Sequence, residues 1–287
     1  MTKATDFFDM STAPMRIGKV RLKVRDIDSV SDFYRDVLGL AVMTRDARKT
    51  TLGTGRTPLL VLETDPAILP GDKRQAGLFH TAFLLPARAD LARWLGHVAS
   101  ARVPLQGASD HIVSEAIYLA DPEGNGIEVY IDRPVSDWLD IKGDIQMTTD
   151  PLDAQDLLAS AEGTVWNGFP ENGSIGHVHL RVGDTAEADR FYRDILGFDI
   201  TVDYPGASFY GSGGYHHQLA GNIWKTRGVA RRPNGMAGLD NVEIIVRNPD
   251  DITAIAARAA RAGTETVNDE SGTTLRDPWG ISITLAG

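Results

Sequence analysis

The sequence predicts an α+β fold built from four units, each running strand, helix, strand, strand, strand. Three observations carry this. Residues 17 to 40, IGKVRLKVRDIDSVSDFYRDVLGL, align without gaps with residues 175 to 198, IGHVHLRVGDTAEADRFYRDILGF, which marks an internal duplication. Weaker copies of the same opening begin at Gly77 and near Gly238. Short runs of alternating apolar and polar residues, bounded by turn signals, follow each helical pattern.

Residues 1–14 read as a polar leader. The first unit opens with the strand RIGKVRLKV and continues with the helix DSVSDFYRDVLG. There Val30, Phe33, Tyr34, Val37 and Leu38 share one face, Asp28 or Ser29 is the expected cap and Gly39 the stop. Short strands through TTLGTG and PLLVLETD complete it. The second unit has the strand LFHTAFLLP, the helix DLARWLGHVASA and a hairpin. The third begins at IGHVHLRV, and the fourth has LDNVEIIV, the helix DDITAIAARAARAG and the segment DPWGISITL.

Equivalent first-strand positions are Lys19, His80, His177 and Asn241, with spacings of 61, 97 and 64 residues. The excess in the middle falls in residues 134–173, rich in Asp, Thr, Pro and Gly, which read as an interdomain connection with LDAQDLLASA as a short helix. Two domains of two units each follow, at 15–133 and 174–287.

The chain of 287 residues is long enough for two cores, and 42% hydrophobic with 24% charged residues is ordinary for a globular protein. A net charge of -10 argues against nucleic acid and against anionic membrane surfaces. The absence of Cys excludes disulfides and thiolate chemistry, so any metal would need His and carboxylate ligands. No signal-peptide core and no long apolar run is present, so the expectation is a cytoplasmic protein without a membrane span.

The most informative stretch is residues 109–130, SDHIVSEAIYLADPEGNGIEVY. DPEGNG is a strong turn signal between the β-type runs EAIYLA and IEVYID. On the second run Ile127, Val129 and Ile131 point to one face, Glu128 and Tyr130 to the other. Taken alone, Glu128 is either a solvent-facing carboxylate on a half-wet sheet or a buried group with a partner.

The spacing of His111, Ile117, Tyr118, Asp121, Pro122, Gly124 and Glu128 resembles the signature of extradiol ring-cleavage dioxygenases, with Ser109 as one departure from it. The repeated unit resembles that of the vicinal oxygen chelate superfamily, which includes glyoxalase I, bleomycin-resistance proteins and extradiol dioxygenases. The segments GLFHTAFLLP, SEAIYLADPEGNGIE, IGHVHLRV and GGYHH are similar to those of bacterial two-domain catechol 2,3-dioxygenase-like proteins. Coverage is nearly the whole chain after residue 14.

In that superfamily ligands come from one position on the first strand of a unit and one on its last. The resemblance therefore implies His80, Glu128 and His177 as metal ligands, because Lys19, Asn241 and Thr284 occupy other ligand positions and Glu63, near the end of PLLVLETD, reads as a surface residue at a strand end. His179 faces the same side of its strand and is the alternative to His177, or else a substrate-facing residue. The set implies Fe(II), with Mn(II) as the alternative, in a two-His, one-carboxylate site. It also makes a topological demand: units two and three must pair around the metal, leaving units one and four to each other.

The resemblance further implies His217 as the acid–base group, His111 and Tyr118 as hydrogen-bonding catalytic residues, and His179 and His216 against the substrate. Consecutive residues face opposite ways, so at most one of His216 and His217 faces the site. Gly213 and Gly214 allow a bulge there. His97 is expected to have no functional role. The implied reaction is extradiol cleavage of a catechol-like or hydroquinone-like aromatic diol by O2, in a monomer or homo-oligomer. A metal-dependent isomerase or lyase of the glyoxalase kind and a metal-free small-molecule-binding protein stay open as alternatives.

Overall fold

A computed structural model describes residues 7–287. Unit one comprises β1 (Met15–Lys23), α1 (Ile27–Asp36), β2 (Ala41–Arg45), β3 (Lys49–Thr54) and β4 (Thr57–Glu63). Unit two comprises β5 (Gly77–Leu84), α2 (Arg88–Ser100), β6 (Gly107–Asp110), β7 (Ser114–Ala120) and β8 (Gly126–Asp132). After a connection holding α3 (Val135–Trp138), the two-residue β9 (Asp150–Pro151) and α4 (Ala154–Ala159), unit three begins with β10 (Ser174–Arg181). It continues with α5 (Thr185–Asp189), a π-helical stretch Arg190–Leu196, β11 (Asp199–Tyr204), β12 (Ala207–Gly211) and β13 (Leu219–Asn222). Unit four is β14 (Gly238–Val246), α6 (Pro249–Arg261), β15 (Thr266–Asp269), β16 (Gly272–Arg276) and β17 (Ser282–Ala286).

The units cross-pair as the ligand positions demanded. One sheet of eight strands runs β15-β16-β17-β14-β1-β4-β3-β2 and joins units one and four. The other, of nine, runs β11-β12-β13-β10-β5-β8-β7-β6-β9 and joins units two and three. Both are joined at their centres by antiparallel first strands, Met15 opposite Val246 and Val178 opposite Thr81. Val20 and Leu22 of β1 and Val178 and Leu180 of β10 belong to one continuous buried apolar cluster that binds the two sheets together.

Local chemistry sets the elements. In α1, Asp26 is the cap, its carboxylate accepting from the Ser29 amide at 2.9 Å. This lies two residues ahead of the expected Asp28, so Ile27 becomes helical and joins Val30 and Tyr34 in the core. In the hairpin of unit two, Asp121 accepts from the Glu123 and Asn125 amides at 2.9 Å each, which locks the turn before Glu128.

The residues on either side of the units are also ordered. Of the leader, residues 1–6 lie outside the described residues, while Phe8 packs on Tyr215 and Trp138 at ring-centroid distances of 5.0 and 6.2 Å. In the connection, Trp138 is fully buried and β9 pairs with β6. The helix read from LDAQDLLASA is α4, which buries Leu157. Among the described residues, no helix is long and apolar enough to cross a membrane.

The sheet of units one and four has filled the place where ligands would stand. Asn241 donates to Thr284 Oγ1 at 2.7 Å, and Thr284 shares a second hydrogen bond with Thr274 at 2.8 Å. Lys19 pairs with Glu243. Polar groups in these positions satisfy one another, and among the described residues the converging metal-type donor set lies in the other sheet.

Candidate metal centre

Three adjacent strands bring the expected ligands together. Ala82 of β5 lies opposite His177 on β10 and Glu128 on β8, and His80 is two residues from Ala82 on the same face. The small Ala82 side chain, fully buried, leaves the space above it to the three longer groups. His80 Nε2 lies 3.0 Å from Glu128 Oε2, His177 Nε2 lies 3.3 Å from the same oxygen, and the two imidazole nitrogens are 3.3 Å apart.

These separations suit a small divalent ion. Ligands at about 2.1 Å from one centre and at right angles to each other are about 3 Å apart, so the three donors can form one face of an octahedron. All three residues are buried. Burial alone would raise the Glu128 pKa, yet the His177 and His80 imidazoles hold its carboxyl well below the usual carboxylate range. Burial pushes His177 down to about 4, against the pull of Glu128 in the other direction. Both groups are therefore in the deprotonated form that coordination requires. The outer nitrogen of His177, Nδ1, is buried without a hydrogen-bond partner.

The His177 shift has a consequence for the metal-free protein. Between pH 6.5 and about 4 the unfolded chain takes up a proton at His177 that the native state refuses, so stability is lost as pH falls through that window. Urea midpoints of the metal-free protein between pH 7 and pH 4 are expected to fall more steeply for wild type than for His177→Gln. Parallel slopes would contradict this account of His177.

In front of the donors lies a cavity of about 250 Å³. Phe79, Phe209 and Trp224 line it beside His80, His177, His179 and His217. Met147, Thr148 and Thr149 from the connection close another side, together with His111, Tyr118 and Tyr204. An apolar, aromatic wall with a few convergent polar atoms is the usual form of a small-molecule site.

The remaining histidines have distinct environments. His111 Nδ1 donates to the Thr148 carbonyl at 2.5 Å, so in its neutral form Nε2 accepts from the Tyr118 hydroxyl at 2.6 Å. Burial, with Glu128 nearby, raises the Tyr118 pKa well above its ordinary value, so the phenol keeps its proton. His179 is not in the converging set. Its Nε2 accepts from Asn222 Nδ2 at 3.0 Å, an orientation fixed because Asn222 Oδ1 accepts from the Trp224 amide. Its ring packs on Phe79, and burial, with the His80 and His177 imidazoles adding to it, holds its pKa well below the ordinary value.

Gly213 and Gly214 both have positive φ, 70° and 86°, and turn the chain so that Tyr215, His216 and His217 point inward ahead of β13 rather than lying on it. His217 lines the cavity, its ring centroid 4.1 Å from that of His177. His216, expected against the substrate, does not line the cavity. It is fully buried, with Nε2 on Asp132 at 2.8 Å and Nδ1 on His217 at 2.8 Å. His97 bonds the Asp36 carbonyl at 2.8 Å, far from the donors in the fold.

Sequence reasoning missed the cavity wall. Phe209, Tyr204 and Trp224 come from or follow strands of unit three, and Met147 to Thr149 come from a segment with no periodicity. The position of Phe79 next to His80 on β5 was the one available signal.

Comparison with known proteins bears on the family and the fold. Catechol-2,3-dioxygenase of Bacillus subtilis (strain 168) is 38% identical over 267 residues, covering 91% of this chain and 93% of its own length. The solved structure of glyoxalase I from Zea mays has a TM-score of 0.59 at 17% identity, covering 96% of this chain and 93% of that one. The cppA protein of Streptococcus pneumoniae TIGR4 has a TM-score of 0.58 at 12% identity, covering 94% and 97%. These two likenesses concern the fold. Residues 16–129 and 174–285 match the profile of one family, and the chain belongs to the Glyoxalase/Bleomycin resistance protein/Dioxygenase superfamily.

Proposed function

We propose that this protein is an extradiol ring-cleavage dioxygenase acting on a catechol-like aromatic, with Fe(II) held by His80, Glu128 and His177 and Mn(II) as the alternative ion. The observation that carries the reading is the three-donor face opening onto an aromatic-walled cavity beside His217. The name of the Bacillus subtilis relative, catechol-2,3-dioxygenase, supports an aromatic diol as substrate. When bound, Fe(II) supplies open coordination positions at which a catecholate and O2 meet.

The chain's own residues do the rest. Phe79, Phe209 and Trp224 hold the ring between apolar walls and exclude water. His217 accepts a proton from the substrate hydroxyl, for which burial and the neighbouring His177 and His216 imidazoles keep it neutral. The Tyr118 hydroxyl, still protonated and held by donating to His111 Nε2 at 2.6 Å, presents its oxygen to the cavity as a hydrogen-bond acceptor for a substrate hydroxyl. His179 shapes the pocket floor with Phe79 and Trp224. The reaction suits the cytoplasm, where Fe(II) is kept reduced.

The test is anaerobic reconstitution with Fe(II), followed by catechol in air in an oxygen electrode. The expected result is uptake of one O2 per catechol with a yellow ring-opened product. Stoichiometric iron with no turnover of catechol or its alkyl and carboxyl derivatives would overturn the reading and favour an isomerase. Failure to bind Fe(II) or Mn(II) at all would leave a binding protein.

A further inference from the structure

Behind the cavity wall, five side chains form one hydrogen-bonded chain whose proton positions follow from its middle member. Asp132 Oδ1 receives the Tyr215 hydroxyl at 3.1 Å and His216 Nε2 at 2.8 Å. A carboxylate has no proton to give, so both neighbours are donors. Tyr215, having given its proton to Asp132, accepts from the Tyr130 hydroxyl at 2.8 Å. A neutral imidazole carries one N–H. His216 has placed it on Nε2, so its Nδ1 is bare and must accept from His217 Nδ1 at 2.8 Å. His217 in turn carries its single proton on Nδ1, which leaves Nε2 without a proton at the cavity.

We propose that Asp132 and His216 are positioning residues that fix His217 in the Nδ1–H tautomer and so present an Nε2 lone pair to whatever occupies the cavity. Histidine free in water prefers the opposite tautomer, in which Nε2 carries the proton and can only donate. The relay thus decides whether His217 meets a substrate hydroxyl as an acceptor or as a donor. A doubly protonated His216 would reverse the arrangement. Long-range 1H–15N correlation distinguishes that form directly.

The fold builds the relay from the same strand as the metal site. Glu128, Tyr130 and Asp132 alternate along β8 and share one face, so a single strand supplies a donor atom at one end and the anchor of the relay at the other. Gly176 keeps the space for it: a Cβ there would lie 1.8 Å from the Tyr130 hydroxyl oxygen. His216 itself is sealed from the cavity by this packing, with Tyr215 at a ring-centroid distance of 4.0 Å and Trp138 at 5.0 Å.

The importance of the tautomer for catalysis rests on the dioxygenase reading, whereas the tautomer itself does not, and the experiment separates them. Metal-free protein labelled with 15N-histidine is examined by long-range 1H–15N correlation, with His216→Gln and His217→Gln used for assignment. Wild type is expected to show a proton on Nε2 of His216 and on Nδ1 of His217. A proton on Nε2 of His217 in wild type, with or without a doubly protonated His216, would overturn the proposal without need of any folded variant. In Asp132→Ala the His217 signals are expected to move to the Nε2–H form, and unchanged signals would overturn the role of Asp132. In the iron-loaded enzyme Asp132→Ala should lower kcat roughly 10²-fold, with KM and iron content little changed, since it removes acid–base competence and no ligand. Wild type with the expected tautomers and no turnover would refute the dioxygenase reading while leaving the relay standing.

Discussion

Replacing any one of His80, Glu128 or His177 by alanine is expected to abolish stoichiometric metal binding. Each sits on a different strand, yet their donor atoms lie 3.0–3.3 Å from one another, so each removal takes away one third of the protein's donor set. Changing groups that merely orient a ligand costs about 10- to 100-fold in affinity, and losing a ligand itself exceeds that. Metal analysis after anaerobic purification reads the effect directly. Thermal unfolding offers a second reading, because an ion at 100 times its dissociation constant stabilises the native state by about 2.7 kcal/mol. The melting temperature of wild type should therefore rise on adding Fe(II) or Mn(II), and those of the three variants should not. A variant that keeps wild-type metal content would remove that residue from the donor set.

His217→Ala is expected to keep the metal and lose the chemistry. Positioned proton transfer contributes about 10² to 10⁴ in rate, so kcat should fall by that factor while iron content stays at the wild-type level. The His217 ring packs tilted against His177 but supplies no atom to the converging set. Steady-state kinetics on iron-normalised samples distinguishes the outcomes. Loss of iron in parallel with activity would make His217 a support for the ligand rather than a base, and unchanged kcat would dismiss it from the reaction.

Much of this was legible in the residues because repetition and spacing are local properties. The aligned stretches at 17 and 175 give the unit, and the absence of His at positions 19 and 241 requires the cross-pairing that the sheets adopt. The resemblance of the spacing from His111 to Glu128 to a family signature marked Glu128 as more than a surface carboxylate, and it is buried against His80 and His177. Long-range geometry was not legible. Nothing in QMTTD indicates that the Thr148 carbonyl orients His111, since a backbone acceptor has no residue signature. Alternation allowed only one of the adjacent His216 and His217 to face the site while the resemblance implied both, and the turn at Gly213 and Gly214 sends His217 to the cavity and His216 to Asp132. Asp132 itself had a faint signal, being four residues after Glu128 on the same face of a strand.

The order in which the strands leave the ribosome bears on how this protein reaches its native state. Every strand of the nine-stranded sheet has been synthesised by residue 222, while β1, made first, waits for β14 to pair Met15 with Val246. Until then β1 has one covered edge, against β4, and one open edge, and such edges invite pairing with other chains. Long-range closure of this kind is slow. Truncation before residue 238 should consequently leave the ligand-bearing strands complete and β1 as the adhesive edge, so that nascent or cleaved chains aggregate through unit one rather than through the metal-binding half.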